Sequence, residues 1–145
     1  EIARAARNMG ADVTLISGPV ALDAPADVHM IPIISANDMF TAVKENYKDM
    51  DIIIKAAAVG DYRPQIIAEN KIKKQGDTLE IKFVKNPDIL AYLGEHKKEH
   101  QVICGFAMET QNLIENAKDK FKRKNCDLLV ANNLNEKWCW FQKRY

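Results

Sequence analysis

Asp51-Ile-Ile-Ile-Lys-Ala-Ala-Ala58 is the stretch on which the reading of the fold turns. It is apolar almost without interruption, so it lacks the in-out alternation of a strand with one wet face. A run of this kind is expected of a central strand covered on both faces, as in a parallel sheet flanked by helices. Upstream, Val13 to Ser17 reads as a β-branched strand stopped by Gly18-Pro19, and a short strand is expected near Val28 to Ile33. Ser35-Ala-Asn-Asp38 then has the spacing of a capping box, with Met39, Ala42, Val43 and Tyr47 following at helical intervals. Further upstream, Glu1 to Met9 reads as a helix with Ile2, Ala5, Ala6 and Met9 on one face, closed by Gly10. That helix has neither an N-cap residue nor a strand before it, as expected of a chain cut inside an element.

Downstream, Thr78 to Val84 alternates as a half-buried strand does. Asn86-Pro87-Asp88 opens a helix, with Asn as the cap and Pro at the first helical position. A strand is expected from Gln101 to Phe106. Thr110 is the expected cap of the next helix, whose apolar stripe is Leu113, Ile114, Ala117 and Phe121. Asp127 to Ala131 is the last strand. Strands alternating with helices predict the α/β class: a Rossmann-like three-layer sandwich with a predominantly parallel sheet.

Composition sets the outer limits. A chain of 145 residues, 47% hydrophobic and 28% charged, can bury one core and has no disordered character. Its net charge of +1 gives no general pull toward nucleic acid or a membrane surface, so any anion must be met by a local cluster. No apolar run is long enough to cross a bilayer, and no signal-peptide layout is present. Cys104, Cys126 and Cys139 are odd in number and match no ligand spacing. They predict a reducing, cytoplasmic setting with no disulfide framework and no zinc site.

In open α/β sheets ligands bind beyond the carboxyl ends of the strands. That directs attention to Ser17 to Pro19, Ala58 to Arg63, Gly105 to Thr110 and Asn132-Asn133. Ala56, Ala57 and Ala58 are small enough for a flat ring to approach the backbone, and Asp61 could bind a ribose hydroxyl or a base amine. Close helix packing is the plainer explanation of the alanines. Lys71, Lys73 and Lys74 share a loop; in an extended segment Lys71 and Lys73 point to one side, giving two cations for a phosphate chain. A solvated basic loop is the alternative. Lys120 and Lys124 lie one helical turn apart and could face one anion, although Lys118, Lys122 and Arg123 crowd the same helix end and complement its dipole. Phe106 is either core or a stacking surface for a base. His29, His96 and His100 form no set with Ser or Cys that would serve a hydrolase. The absence of Gly-x-Gly-x-x-Gly and of a Walker-type loop argues against a dehydrogenase and a P-loop enzyme.

Six segments taken together resemble one family. Gly10 to Pro19, Ala56-Ala-Ala-Val-Gly-Asp-Tyr-Arg63, Lys71-Ile-Lys-Lys74, Val84-Lys-Asn-Pro-Asp-Ile89, Gly105-Phe-Ala-Met-Glu-Thr110 and Asp127 to Asn132 have the order and spacing of bacterial phosphopantothenoylcysteine synthetases. The resemblance runs from Ile2 to about Lys137. It implies a domain that is usually the C-terminal half of a bifunctional coenzyme A biosynthesis flavoprotein, whose FMN belongs to the fused decarboxylase half. It also implies a CTP-dependent ligase that joins 4′-phosphopantothenate to cysteine through an acyl-cytidylate, with magnesium on the phosphates and a homodimeric intact enzyme. Lys71 would be the catalytic residue, holding the triphosphate at the reacting phosphorus. Ala56, Ala57 and Ala58 would contact the cytosine, with Asp61 nearby. Asn86, Pro87, Asp88, Ile89, Phe106, Lys120 and Lys124 would complete the CTP site. A non-catalytic Rossmann-like nucleotide-binding fragment is the alternative function.

Two departures from the family pattern carry further expectations. The family's Gly-Gly-Thr strand and its Ser-Asn-x-Ser-Ser-Gly-Lys-Met-Gly stretch are missing, so residues 1–137 would be a synthetase domain without its N-terminal segment, unable by itself to complete the ligation. Residues 138–145, Trp138 to Tyr145, match nothing in the family. Read one nucleotide later, their codons can spell Gly-Ala-Gly-Phe-Lys-Asn-Asp-Thr, the family's continuation. These eight residues are therefore expected to be a non-native, frame-shifted tail.

Overall fold

The protein was analysed as a computed structural model that describes residues 1–73, 76–109 and 112–133. Lys74, Thr110 and the tail from Trp138 to Tyr145 lie outside the described residues. The chain forms two compact units, one from Glu1–Phe40 with Val59–Pro87, the other from Thr41–Ala58 with the chain from Asp88 onward.

In the first unit α1 (Ile2–Asn8) is followed by β1 (Thr14–Ser17) and β2 (His29–Pro32), which pair in parallel from Thr14↔His29 to Ser17↔Pro32. Helix α1 stops at Gly10, whose φ of 91° only glycine adopts freely. Gly10 N–H donates to the Arg7 carbonyl at 2.9 Å and Ala11 N–H to the Ala6 carbonyl at 3.1 Å, the paired closure of a Schellman turn. The apolar face expected on this helix is not buried: Ile2, Ala5 and Met9 are all exposed. Helix α2 (Ala36–Asn46) starts as its spacing predicts. The Ser35 hydroxyl accepts the Asp38 N–H at 3.1 Å, while the Asp38 carboxylate accepts the Ser35 N–H at 2.8 Å. The alternating segment before Val84 shortens to β5 (Phe83–Lys85), which pairs antiparallel with β4 (Tyr62–Pro64), a strand the sequence does not announce.

The second unit holds β3 (Ile52–Lys55), α3 (Ile89–His96), β6 (Val102–Glu109), α4 (Leu113–Arg123) and β7 (Leu128–Asn133). Among the described residues its three strands are all parallel, in the order β3-β6-β7. The central strand is therefore β6. Ile103 and Cys104 point to opposite faces of it and both are buried, so both faces of this strand are covered. The apolar run that opened the sequence reading forms β3 instead, an edge of this sheet, with Ile52 62% and Ile54 43% exposed. Hydrophobic continuity indicates a strand but does not rank it within the sheet. Gly105 in β6 makes room for α3, since a Cβ there would lie 2.9 Å from Leu90 Cδ2 and 3.0 Å from Leu129 Cδ1. Met39, Ala42 and Tyr47 are buried as the helical spacing predicts.

Candidate functional site

Helix α4 presents a different face from the one its apolar residues mark. Leu113, Ala117, Lys120 and Lys124 are the partly covered positions, spaced four, three and four apart, whereas Ile114 and Phe121 are exposed. Two lysines thus occupy the stripe that packs inward. Lysine can do this because its four-carbon stem covers apolar surface while the ammonium seeks a polar partner. Lys120 Nζ donates to the Phe106 carbonyl at 3.1 Å. Lys124, with its side chain only 12% exposed, pairs with the Asp88 carboxylate. Lys118, Lys122 and Arg123 remain exposed, so the crowd of charges at this helix end separates into a solvated group and an anchored pair.

Asp88 is the N-cap of α3. Its carboxylate accepts the Ala91 N–H at 2.9 Å, and its own backbone is extended (ψ 94°). This corrects the capping order read from the sequence: Ile89 opens the helix and Asn86 is not the cap. The physical reason is that the Asn86 amide is committed elsewhere, donating to the Gly60 carbonyl at 2.8 Å and accepting from Arg63 Nη1 at 3.0 Å. Burial pushes the Asp88 carboxyl upward, but the Lys124 ammonium and the Ala91 N–H outweigh it, and the group titrates below its ordinary value. Ile89, expected among the nucleotide contacts, is a buried core side chain at the start of α3.

Phe106 does not end its strand. Strand β6 continues to Glu109, and Phe106 pairs with Val130 in mid-strand, partly exposed, its carbonyl engaged by Lys120. The extension follows from β7, which also runs on through Asn132 and Asn133, so Gly105 to Glu109 and Asn132-Asn133, where ligand contacts were expected beyond the strand ends, are strand. Ala56, Ala57 and Ala58 leave β3 as exposed backbone, and Lys55 Nζ donates to the Ala57 carbonyl at 2.9 Å. The second unit therefore brings together Lys124 with Asp88, Lys120 with Phe106, and Lys55 with the alanine segment.

In the first unit Asp61 is exposed, and its carbonyl accepts the Asn86 N–H at 2.7 Å. Gly60, Asp61, Arg63 and Asn86 thus form one hydrogen-bonded corner around the β4–β5 pair, with Pro87 leading out of it. Lys71 and Lys73 are exposed in the intervening loop, and Lys71 makes no hydrogen bond or ion pair with another described residue.

Sequence reasoning missed Lys55, Arg63, Gly94 and Asn125. The signal for Lys55 is a lone charge at the end of an apolar strand. For Asn125 it is a residue tolerant of positive φ between a helix and a strand; its φ is 49°. Gly94 carries no local signal, because what requires it lies on another helix.

Comparison with known proteins adds an independent line. A family model for the DNA/pantothenate metabolism flavoprotein C-terminal domain matches residues 1–144. The chain is similar to the coenzyme A biosynthesis bifunctional protein CoaBC of Haemophilus influenzae, 48% identical over 133 residues, covering 92% of this chain and 33% of that protein. The Escherichia coli protein of the same name is 46% identical over 138 residues, covering 93% and 34%. The chain thus spans about a third of the length of the curated relatives it matches. A crystal structure of the C-terminal domain of CoaBC superposes with a TM-score of 0.79 at 42% identity, covering 91% of this chain and 61% of that one. A DNA/pantothenate metabolism flavoprotein from Streptococcus pneumoniae, at 21% identity and a TM-score of 0.74, shares the fold; it covers 88% and 67%.

Proposed function

The chain belongs to the DNA/pantothenate metabolism flavoprotein C-terminal domain family, and from that premise we propose that it is the synthetase part of a coenzyme A biosynthesis protein. The reaction is the CTP-dependent ligation of 4′-phosphopantothenate to cysteine. The observation that carries this reading is the inward stripe of α4. Lys120 and Lys124, two of the positions that the family resemblance assigns to the nucleotide, are built into the packed face with their ammonium groups directed at Phe106 and Asp88. A merely solvated helix end would not hold them there.

The chemistry asks for charge compensation and positioning more than for proton transfer. The phosphopantothenate carboxylate oxygen attacks the α-phosphorus of CTP, forming a C–O–P mixed anhydride and releasing pyrophosphate. The cysteine amine then attacks the acyl carbon; the amide C–N bond forms, the acyl C–O bond breaks, CMP departs, and the amine loses a proton. Lys71 would neutralise charge on the phosphate chain as the pentavalent phosphorus develops, and Lys120 and Lys124 would hold the remaining phosphate oxygens. The exposed backbone of Ala56 to Ala58 offers N–H and C=O groups to the edge of cytosine. Magnesium would enter with the triphosphate. The described residues contain no group of three His, Cys, Asp or Glu that could hold a metal, so phosphate oxygens and water would supply most of its ligands, as magnesium tolerates.

The test is to incubate the purified chain with CTP, magnesium, phosphopantothenate and cysteine while following pyrophosphate and CMP separately, with CTP binding measured in parallel by calorimetry. Binding of CTP well above that of CMP, lost on joint replacement of Lys120 and Lys124 by alanine, is the expected result. CTP binding with no pyrophosphate at any substrate concentration would favour a nucleotide-binding module without catalysis. Equal binding of CTP and CMP, unaffected by the two lysines, would overturn the assignment.

A further inference from the structure

Lys124 stands one residue past the last full turn of α4, where helix ends fray, yet its side chain is among the better covered on that helix. What fixes it is the contact between the end of α4 and the middle of α3. Helix α4 closes as a Schellman turn: Asn125 N–H donates to the Lys122 carbonyl at 3.2 Å and Cys126 N–H to the Phe121 carbonyl at 3.2 Å, with Asn125 in the left-handed region. Glycine would serve this turn at lower conformational cost. Asparagine adds a side-chain amide, and Nδ2 donates to the Gly94 carbonyl of α3 at 2.8 Å. Gly94 is shaped to match. A Cβ there would lie 1.9 Å from the Lys124 carbonyl oxygen, 2.9 Å from its carbonyl carbon and 3.2 Å from Asn125 Cβ. The two backbones touch with no side chain between them.

Asp88 and Gly94 are six residues apart on α3, about 9 Å along the helix axis. The Lys124 backbone is seated at Gly94 and its ammonium reaches Asp88, so its stem is drawn along α3 toward that helix's N-terminal end. We propose that Asn125, through its bond to Gly94, is a positioning residue that holds the Lys124 ammonium at Asp88, the N-terminal end of α3. The inference rests on the nucleotide reading given above for the role of Lys124, but the positioning itself is measurable without any nucleotide.

Asn125→Gly is the informative variant, because it keeps the left-handed turn and removes only the amide. In the first arm the chain is treated with a trace of an acetylating reagent, and the modification rates of Lys124 and Lys122 are compared by mass spectrometry. Lys124 is expected to react about tenfold more slowly than Lys122 in the parent chain, given that its ammonium is paired and covered. In Asn125→Gly the gap should narrow to within about twofold, with the melting temperature little changed. An unchanged gap would overturn the proposal. In the second arm CTP and CMP affinities are measured for the parent, Lys124→Ala and Asn125→Gly. Both variants are expected to bind CTP about tenfold more weakly and CMP equally well. Loss in Lys124→Ala with none in Asn125→Gly would also overturn it. If the parent binds neither nucleotide, the functional reading fails while the labelling arm still decides the positioning.

Discussion

Helices α1 and α4 end with the same backbone turn, and the two ends differ in what is attached to them. At the end of α1, Gly10 takes the left-handed position and a Cβ there would meet nothing within 4 Å. At the end of α4, Asn125 takes that position, bonds to Gly94, and carries Lys124 against α3. The lysines follow the same division. Lys71 extends from an exposed loop, whereas Lys120 and Lys124 are held on a packed face. A glycine stop ends a helix at little cost and fixes nothing beyond it; an asparagine stop accepts some backbone strain and gains a contact with a second element.

The comparison breaks most visibly at Gly94. Gly94→Ala must separate two backbones, so we expect a loss of roughly 3 kcal/mol or more in denaturant unfolding, a magnitude that goes with overpacked sites. Gly94→Ala with parent stability would mean that the two helix backbones are not in contact. Lys71→Ala probes the untethered side. It should cost on the order of 2–3 kcal/mol in CTP binding, from one charge-assisted phosphate contact, with no change in unfolding. An equal loss of stability would show that Lys71 is structural after all. Gly10→Ala comes next: space is open but the left-handed backbone is strained for alanine, so about 1 kcal/mol of stability should go. Gly10→Asn should recover much of it, which would sharpen the contrast by showing that asparagine serves as a stop even with nothing to bond.

The smallest effect is the acid response of the tied end. Asp88 titrates below its ordinary value because Lys124 and the Ala91 N–H outweigh the upward push of burial. Its folded pKa is thus lower than its unfolded one. The stability it contributes is complete above the ordinary carboxylate range and is lost as pH falls through the lowered value. Asp88 is half exposed, so solvent screening keeps the contribution small. Asp88→Asn should be slightly less stable than the parent at neutral pH, and the difference should disappear toward acid. A constant difference across that range would show that the charge is not what matters.

Local signals were the legible ones. Ser35 and Asp38 announce a helix start because both partners of the capping box lie within one turn. The parallel α/β class is visible in the alternation of elements, and the family is visible in six ordered motifs. What the sequence conceals is whatever is decided by a distant neighbour. The apolar run from Asp51 shows a strand but not that it is an edge, since rank in a sheet depends on pairing. Asn86 looks like a cap until its amide finds Gly60 and Arg63. Lys120 and Lys124 show only their spacing and charge, because a hydrophobic pattern scores the ammonium and overlooks the stem. Among the candidate site residues, then, the sequence names the lysines but does not show the packing that holds two of them.

The register of the parallel sheet also bears on the order in which it can assemble. Cys104 and Leu128 pair across a βαβ unit of roughly two dozen residues, while Ile52 must find Val102 across roughly fifty, with all of Val59–Pro87 in between. Doubling a closed loop costs about 0.6 kcal/mol of chain entropy, close to a threefold difference in encounter. Strands β6 and β7 should therefore zip first around α4, with β3 joining a preformed edge. In pulsed hydrogen exchange during refolding, protection at Ala107 should precede protection at Ile53, whose N–H faces β6; the reverse order would mean that nucleation begins in the long loop. The segment between β3 and β6 is for the same reason the stretch of this chain where added length should slow the sheet least: each further doubling adds only that small entropic increment.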